Sequence, residues 1–135
     1  TMQLAAFSNN EFSLGHAAMN INEGLVLYLV DRMRKKFNLK QATVGLLGMA
    51  FKANNDDSRA SLSYKLKKVL EFHAEKVLTT DPHVTTDKNL LPLEEVVRRS
   101  DVLVLCVPHD AYRGLKTGSK TVIDIWNFFG QGVYI

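Results

Sequence analysis

The chain has 135 residues, of which 46% are hydrophobic and 23% charged, and its net charge is +3. This size is sufficient for one domain with its own core. The basic cluster at residues 31–37 lacks the interleaved aromatic residues of a single-strand nucleic-acid-binding protein, so we do not expect nucleic-acid binding. The single cysteine, Cys106, excludes an internal disulfide. The sequence has no apolar run of about 20 residues and no recognisable signal peptide, so we expect a cytoplasmic protein that does not span the membrane.

A long amphipathic helix is predicted first, over residues 15–37. Its apolar residues recur at close to 3.6-residue spacing, at positions 18, 19, 21, 25, 26, 29, 30 and 33. Gly24 lowers the helix propensity by about 1 kcal/mol relative to Ala, so we expect a close neighbour that requires the missing side chain.

After this helix, the chain alternates apolar strands with amphipathic helices. The helix starting at residue 61 is expected to place Phe72 on its apolar stripe. The predicted strands cover residues 43–49, 75–81, 101–109 and 120–130, with a short end at 132–135, and the predicted helices cover 61–73 and 92–100. Strands joined by helices form right-handed βαβ units, so the fold class is α/β, a Rossmann-like parallel sheet with flanking helices, preceded by a long helix.

The loop at residues 48–60 is the first candidate site, because ligands of parallel sheets bind beyond the carboxyl ends of the strands. Lys52 and Arg59 place two cations near the start of the next helix, which favours a phosphorylated ligand. A purely structural interpretation stays open: Asp57 or Ser58 caps the helix, and the two preceding asparagines turn the chain.

This loop does not match a dinucleotide-binding turn. "GLLGMA" has G-x-x-G and lacks the third glycine of G-x-G-x-x-G. Asp81, at the end of the second predicted strand, either holds a ribose hydroxyl or forms a turn before Pro82, and the turn is favoured.

Four segments in order carry a resemblance to one enzyme family. The stretch 45–61, "GLLGMAFKANNDDSRAS", closely resembles the G-x-AFK-x-x-x-x-D-x-R-E-S signature of the UDP-glucose/GDP-mannose dehydrogenase family. "TTDP" at 79–82 resembles the family's Y-D-P strand end, and the segments at 100–115 and 122–127 resemble its A-D-x-L-V-I-x-T-x-H-x-x-F and V-x-D-x-x-N strands. The helix at 21–37 is similar to the one that leads into this domain, where the family often has V-N-x-x-Q.

The resemblance implies an NAD-dependent nucleotide-sugar 6-dehydrogenase, UDP-glucose 6-dehydrogenase-like, which oxidises the sugar C6 alcohol to a carboxylate. Residues 1–39 resemble part of the central dimerisation helices, and residues 40–135 resemble the C-terminal nucleotide-sugar-binding domain. The opening residues resemble the segment immediately after the family's catalytic cysteine loop, so we expect an inactive fragment without that cysteine or the NAD-binding domain. The implied partners are a nucleotide sugar, with a UDP-sugar favoured, and a second copy in a homodimer.

Individual site residues are implied by the same resemblance. Phe51 and Lys52 match the pair that contacts the phosphate and sugar of the substrate, and Arg59 matches an arginine near the NAD and catalytic pocket. Two positions depart from the family: Ala60 stands where a glutamate is usual, and Trp126 stands where many members have a ligand-contacting arginine. Trp126 either stacks on a base or packs in the core, and the core is favoured.

Other chemically interesting residues are weaker candidates. Asp57 is a further pocket candidate, and so is His109, at the carboxyl end of the third predicted strand. Cys106 is expected to be a buried, protonated thiol in mid-strand and not the nucleophile. The remaining histidines show no metal-ligand spacing, so no metal site is expected. The alternative function is a non-catalytic nucleotide-binding module, or a dimerisation module that pairs through the helix at 15–37.

Overall fold

A computed structural model describes residues 12–131. The helices are α1 (Ser13–Lys36), α2 (Leu62–Leu70) and α3 (Leu93–Arg99), with short 3-10 turns at Leu39–Gln41 and Asp110–Tyr112. The strands are β1 (Thr43–Leu47), β2 (Lys76–Thr80), β3 (Val102–Leu105) and β4 (Thr121–Asp124). The predicted α/β class with a leading helix is confirmed.

The four strands form one parallel sheet in the order β2-β1-β3-β4. β1 lies between β2 and β3, with Leu46 opposite Thr79 on one side and Val104 on the other. Right-handed crossovers place α2, which leads from β1 to β2, and α3, which leads from β2 to β3, on opposite faces of such a sheet. Both faces are therefore covered, which explains the nearly continuous apolar character of β1 and β3.

One face of the sheet packs against α1 and α2. The C-terminal half of α1 contributes Val26, Leu29, Val30 and Met33 to this core, together with Leu66 and Leu70 of α2 and alternate residues of the strands. Burial of each such side chain contributes about 1.5–3 kcal/mol, so α1 is part of the hydrophobic core of the sheet domain.

The other face packs closely against α3 because β1 carries a glycine there. An added Cβ at Gly45 would lie 2.9 Å from Val96 and 2.3 Å from the hydroxyl oxygen of Ser100. The missing side chain lets α3 approach the sheet, and Val96 is completely buried at this contact with Leu47 and Leu103.

Several local expectations are wrong. An added Cβ at Gly24 would have no neighbour within 4 Å, so this glycine faces open space instead of a close neighbour. Phe72 lies beyond the end of α2 and is 85% exposed. The fourth strand ends at Asp124, whose carboxylate accepts hydrogen bonds from the backbone N–H groups of Trp126 and Phe129 and so turns the chain. The predicted short end at 132–135 lies outside the described residues.

The third strand is also shorter than predicted. It ends at Leu105, because the N–H groups of Cys106 and Val107 both donate to the Leu47 carbonyl and break the regular ladder. Cys106 therefore lies just after the strand and not within it. Among the helices at residues 12–131, none is long and apolar enough to span a bilayer.

Candidate ligand-binding site

Two loops meet at the carboxyl edge of the sheet centre. β1 and β3 are neighbours, but β1 connects outward to β2 while β3 connects to β4 on the other side, which makes this point the topological switch of the sheet. The loops pack so closely that an added Cβ at Gly48 would lie 2.6 Å from the Val107 side chain, and Gly48 adopts a left-handed φ of +95°. Only glycine fits this position without strain.

The loop after β1 is closed by backbone contacts of its own. The N–H of Phe51 donates to the carbonyl of Asp57 at 2.7 Å, and the hydroxyl of Ser61 donates to the carbonyl of Ala50 at 3.0 Å. Ser61 also caps α2, because its oxygen accepts a hydrogen bond from the Ser63 N–H at 3.2 Å. The loop is therefore a folded element with defined ends.

The alternative interpretation, in which Asp57 or Ser58 caps the helix, is wrong, since Ser61 supplies the cap. Asp57 instead binds Arg59 in bidentate fashion, at 2.9 Å to Nε and 2.7 Å to a terminal guanidinium nitrogen. The Arg59 hydrogen bonds lower the pKa of Asp57 to about 2. The Arg59 side chain is 89% exposed, so this pair lies on the outer surface of the loop.

Lys52 differs from Arg59 in having no partner. Within residues 12–131 its ammonium group makes no hydrogen bond or ion pair, and the residue is exposed. Phe51, immediately before it, is 61% exposed although it is a large apolar side chain. An unpaired cation beside an exposed ring at the sheet's switch point is the arrangement expected of a ligand-contacting loop.

A cavity of about 270 Å³ lies next to this pair of residues. Phe51 and Trp126 line it together with apolar side chains of α1 and α2, and Asn22 of α1 contributes a polar amide. The structure therefore brings together Phe51 and Trp126, which lie 75 positions apart in the sequence.

Trp126 is oriented by two hydrogen bonds. Its backbone N–H donates to Asp124 at 3.1 Å, and its indole Nε1 donates to the carbonyl of Cys106 at 3.1 Å. The residue remains 54% exposed, so the expectation that it packs in the core is wrong. A fixed ring with much of its surface open can stack on a planar or sugar ring.

Cys106 lines the same cavity, but its thiol is unreactive. Burial raises the pKa of its thiol to about 12, which keeps it protonated at neutral pH. The raised pKa agrees with the predicted protonated thiol, whereas the residue is only partly buried. A protonated thiol is a poor nucleophile.

Asp81 lies directly behind the loop, and its side chain is completely buried. Burial raises its pKa, but hydrogen bonds from His109 and the surrounding backbone outweigh this and hold the pKa well below its usual range. Its oxygens accept hydrogen bonds from the N–H groups of Met49 at 2.6 Å, Ala50 at 2.9 Å, His83 at 2.8 Å and Val84 at 3.0 Å. Asp81 therefore has the turn role that the sequence analysis favoured, and neither of its oxygens is free to accept a hydrogen bond from a ribose hydroxyl.

His109 is also buried behind the loop and does not line the cavity. Its side chain is 0% exposed, with Nε2 lying 3.1 Å from Asp81 and Nδ1 accepting the backbone N–H of Asn54 at 2.9 Å. Of the pocket candidates in the sequence, Trp126 lines the cavity and Asp57 is paired with Arg59, whereas His109 contacts the loop from the buried side.

A larger cavity, about 830 Å³, lies at the outer edge of β4. Its two cations are already engaged: Lys120 donates to the carbonyls of Arg98 and Ser100, and Arg113 pairs with Asp110 at 2.8 Å and lies over the ring of Phe128. The smaller cavity is lined by Phe51, whose neighbour in the chain is the unpaired Lys52, and is the better candidate for an anionic ligand.

The described residues form no metal-ligand cluster, and the turn after β1 does not fit a dinucleotide. Within residues 12–131, no three His, Cys, Asp or Glu side chains are grouped as metal ligands. A dinucleotide does not fit the turn after β1, because a long folded loop separates β1 from α2 and the Asp81 carboxylate is fully used.

A sequence model described as the UDP-glucose/GDP-mannose dehydrogenase family, UDP binding domain, matches residues 45–131. The chain belongs to this family. The match includes both loops of the candidate site and the strand that precedes Trp126.

Curated members of the dehydrogenase family match most of this chain. An NDP-N-acetyl-D-galactosaminuronic acid dehydrogenase from Ralstonia solanacearum is 30% identical over 118 residues, covering 79% of this chain and 28% of the relative. A UDP-N-acetyl-D-mannosamine dehydrogenase from Pyrococcus horikoshii is 28% identical over 117 residues, covering 83% and 28%. The chain therefore spans less than a third of the length of these relatives.

Solved dehydrogenase structures share the fold. The UDP-N-acetylmannosamine dehydrogenase of Pyrococcus horikoshii superposes with a TM-score of 0.78 at 24% identity, covering 96% of this chain and 33% of that one. A ternary complex of GDP-mannose dehydrogenase from Pseudomonas aeruginosa gives a TM-score of 0.73 at 28% identity, covering 94% and 34%.

The hydrogen bonds that hold the tip of the loop at Asn54 cannot be identified from the sequence. The sequence identifies Asn54 only as a turn residue and gives no sign of its contacts with the loop after β3. Its left-handed φ of +54° is typical of asparagine, but the partner residues lie about 55 positions away in the sequence. No local pattern identifies such a long-range pair.

Proposed function

We propose that this chain binds the diphosphate of a nucleotide sugar at the loop of residues 48–60, as the nucleotide-sugar-binding part of an NAD-dependent nucleotide-sugar 6-dehydrogenase. The observation that carries the proposal is the unpaired Lys52, which directly follows the cavity-lining Phe51 in the loop at the switch point of the sheet. A UDP-sugar is the favoured ligand, since the matching family domain is described as UDP binding.

Each site residue has a distinct role in this proposal. Lys52 contacts the diphosphate, because an ammonium group placed without a protein partner can pair with phosphate oxygens. Phe51 and Trp126 contact a ring of the ligand across the cavity. Arg59 lies at the outer end of the loop, where it can exchange Asp57 for a group of the cofactor or substrate in the complete enzyme.

The 135 residues by themselves are proposed to have no dehydrogenase activity. In the complete enzyme a cysteine nucleophile and NAD oxidise the sugar C6 alcohol to a carboxylate, but the Cys106 thiol is protonated, and the turn after β1 does not fit a dinucleotide. Residues 40–135 are proposed as the binding domain and residues 1–39 as a helical segment from the dimerisation region.

Homodimer formation through α1 is supported by an exposed apolar stripe. Leu14, Ala18, Ile21, Leu25 and Tyr28 succeed one another at alternating spacings of four and three residues, and all are exposed. This is the a/d spacing by which helices pack against one another in coiled coils and bundles.

The binding proposal is tested by calorimetric titration of the chain with UDP and with GDP. Lys52→Ala removes one charge-assisted contact, worth about 1.5–3 kcal/mol, so the affinity should fall by about 10- to 150-fold. Lys68→Ala is the matched control, because Lys68 is an exposed lysine on α2 outside the loop. Equal affinity of wild type and Lys52→Ala would contradict the role of Lys52.

A further inference from the structure

We propose that His109 is a positioning residue for the ligand loop: it fixes Asn54 through Nδ1, and Asp81 fixes the orientation and tautomer of His109. The inference rests on the proposed function, since the loop so positioned is the one that carries Lys52. Neither His109 nor Asp81 touches the ligand in this arrangement, and both act through the backbone of the loop.

Asn54 is the point at which the loop is attached to the rest of the sheet. Its backbone N–H donates to His109 at 2.9 Å, its side-chain amide donates to Asp110 at 2.7 Å, and its side-chain oxygen accepts the Asp110 N–H at 3.0 Å. Three hydrogen bonds thus join the tip of the β1 loop to two consecutive residues after β3. The two side-chain contacts are exposed, whereas the contact with His109 is partly buried and the His109 side chain has no exposed surface.

The tautomer of His109 is determined by its two neighbours. Nδ1 faces a backbone N–H, which can only donate, so Nδ1 must be the unprotonated nitrogen. Nε2 must then carry the proton, and it lies 3.1 Å from the Asp81 carboxylate. His83 and Tyr112 pack on the ring at centroid distances of 4.9 and 5.6 Å and restrict its rotation.

The same carboxylate also holds the beginning of the loop. Asp81 Oδ2 accepts the N–H groups of Met49 and Ala50 directly and reaches Asn54 through His109. Phe51 and Lys52 lie between these two attachments. Their backbone is therefore fixed on both sides by one buried carboxylate, which defines the position from which Lys52 extends.

Two substitutions, each of which reproduces one ring nitrogen, separate the two attachments of His109. In His109→Asn the side-chain oxygen can occupy the place of Nδ1 and still accept the Asn54 N–H, whereas in His109→Gln the amide nitrogen can occupy the place of Nε2 and donate to Asp81. His109→Gln loses the hydrogen bond from the Asn54 N–H, whereas His109→Asn keeps it. The Asn54 amide should therefore exchange its proton about tenfold faster in His109→Gln than in His109→Asn. UDP affinity should fall about three- to tenfold more in His109→Gln.

Each variant is measured at the same interval below its own Tm, so that a difference in global stability does not change the exchange rate. The nitrogen chemical shifts of the wild-type His109 imidazole give a second test, which needs no variant. Unprotonated Nδ1 and protonated Nε2 support the proposal, and the opposite tautomer overturns it. Equal Asn54 exchange in the two variants also overturns it. If the wild type binds no UDP, the proposed function fails while the tautomer and amide exchange still decide the positioning role. A shared loss of stability with unchanged UDP affinity would show a purely structural histidine.

Discussion

At the scale of single residues, Trp126 sets the chemistry that distinguishes this site. Its indole N–H is committed to the Cys106 carbonyl, so its open face is available for stacking only. We expect Trp126→Ala to weaken UDP binding about fivefold, equivalent to about 1 kcal/mol of ring contact, while Trp126→Phe retains most of the affinity. Inorganic pyrophosphate, which has no ring, should bind both variants like the wild type.

Calorimetry with UDP and with pyrophosphate measures both affinities, and Phe72→Ala is a control for an exposed aromatic residue outside the cavity. A parallel loss of UDP and pyrophosphate affinity in Trp126→Ala would assign the effect to a displaced loop and contradict the stacking role.

At the scale of elements, Asp81 joins the ends of β1 and β2 to the loops beyond them. Its pKa is held below the usual value by hydrogen bonds that outweigh the effect of burial. A carboxylate whose folded-state pKa is depressed contributes stability above the unfolded-state pKa of about 4, and this contribution is lost as the pH falls through the folded-state value. The wild type should therefore lose stability below about pH 4, and Asp81→Asn should show a flatter acid limb.

Urea unfolding at a series of pH values gives the free energy of unfolding for this comparison. Asp57→Asn is the matched control, since Asp57 also has a lowered pKa but pairs with Arg59 at the exposed surface, where solvent screens the interaction. Its acid limb should remain close to that of the wild type. If Asp81→Asn ran parallel to the wild type from about pH 6 to about pH 2, the buried network would not be the source of acid sensitivity.

The elements themselves could be predicted from sequence because their causes are local. Val102–Leu105 is a continuous apolar run, and the buried residues of α1 recur at helical spacing. The exposure of Trp126 could not be predicted, because it depends on where the chain turns after β4. The hydrogen bonds that link Asp81 to Met49 and His109 could not be predicted either, since they join residues about 30 positions apart across the sheet.

At the scale of the whole molecule, the apolar stripe on α1 is the surface proposed to pair with a second copy. Deleting α1 would not test this cleanly, because Leu29 and Met33 belong to the core. Ile21→Glu places a charge on the stripe and should convert a dimer to a monomer in sedimentation experiments. Leu27→Glu is the matched control, since Leu27 is exposed on the same helix but lies off the stripe. Dimers in both variants would exclude this surface.

The loop of residues 48–60 is proposed to hold a nucleotide diphosphate, and amide chemical-shift mapping during a UDP titration can locate the bound ligand. We predict saturable shifts at Phe51, Lys52 and Asn54 and at the Trp126 indole N–H. Shifts confined to the larger cavity around Arg113 and Lys120 would contradict the claim.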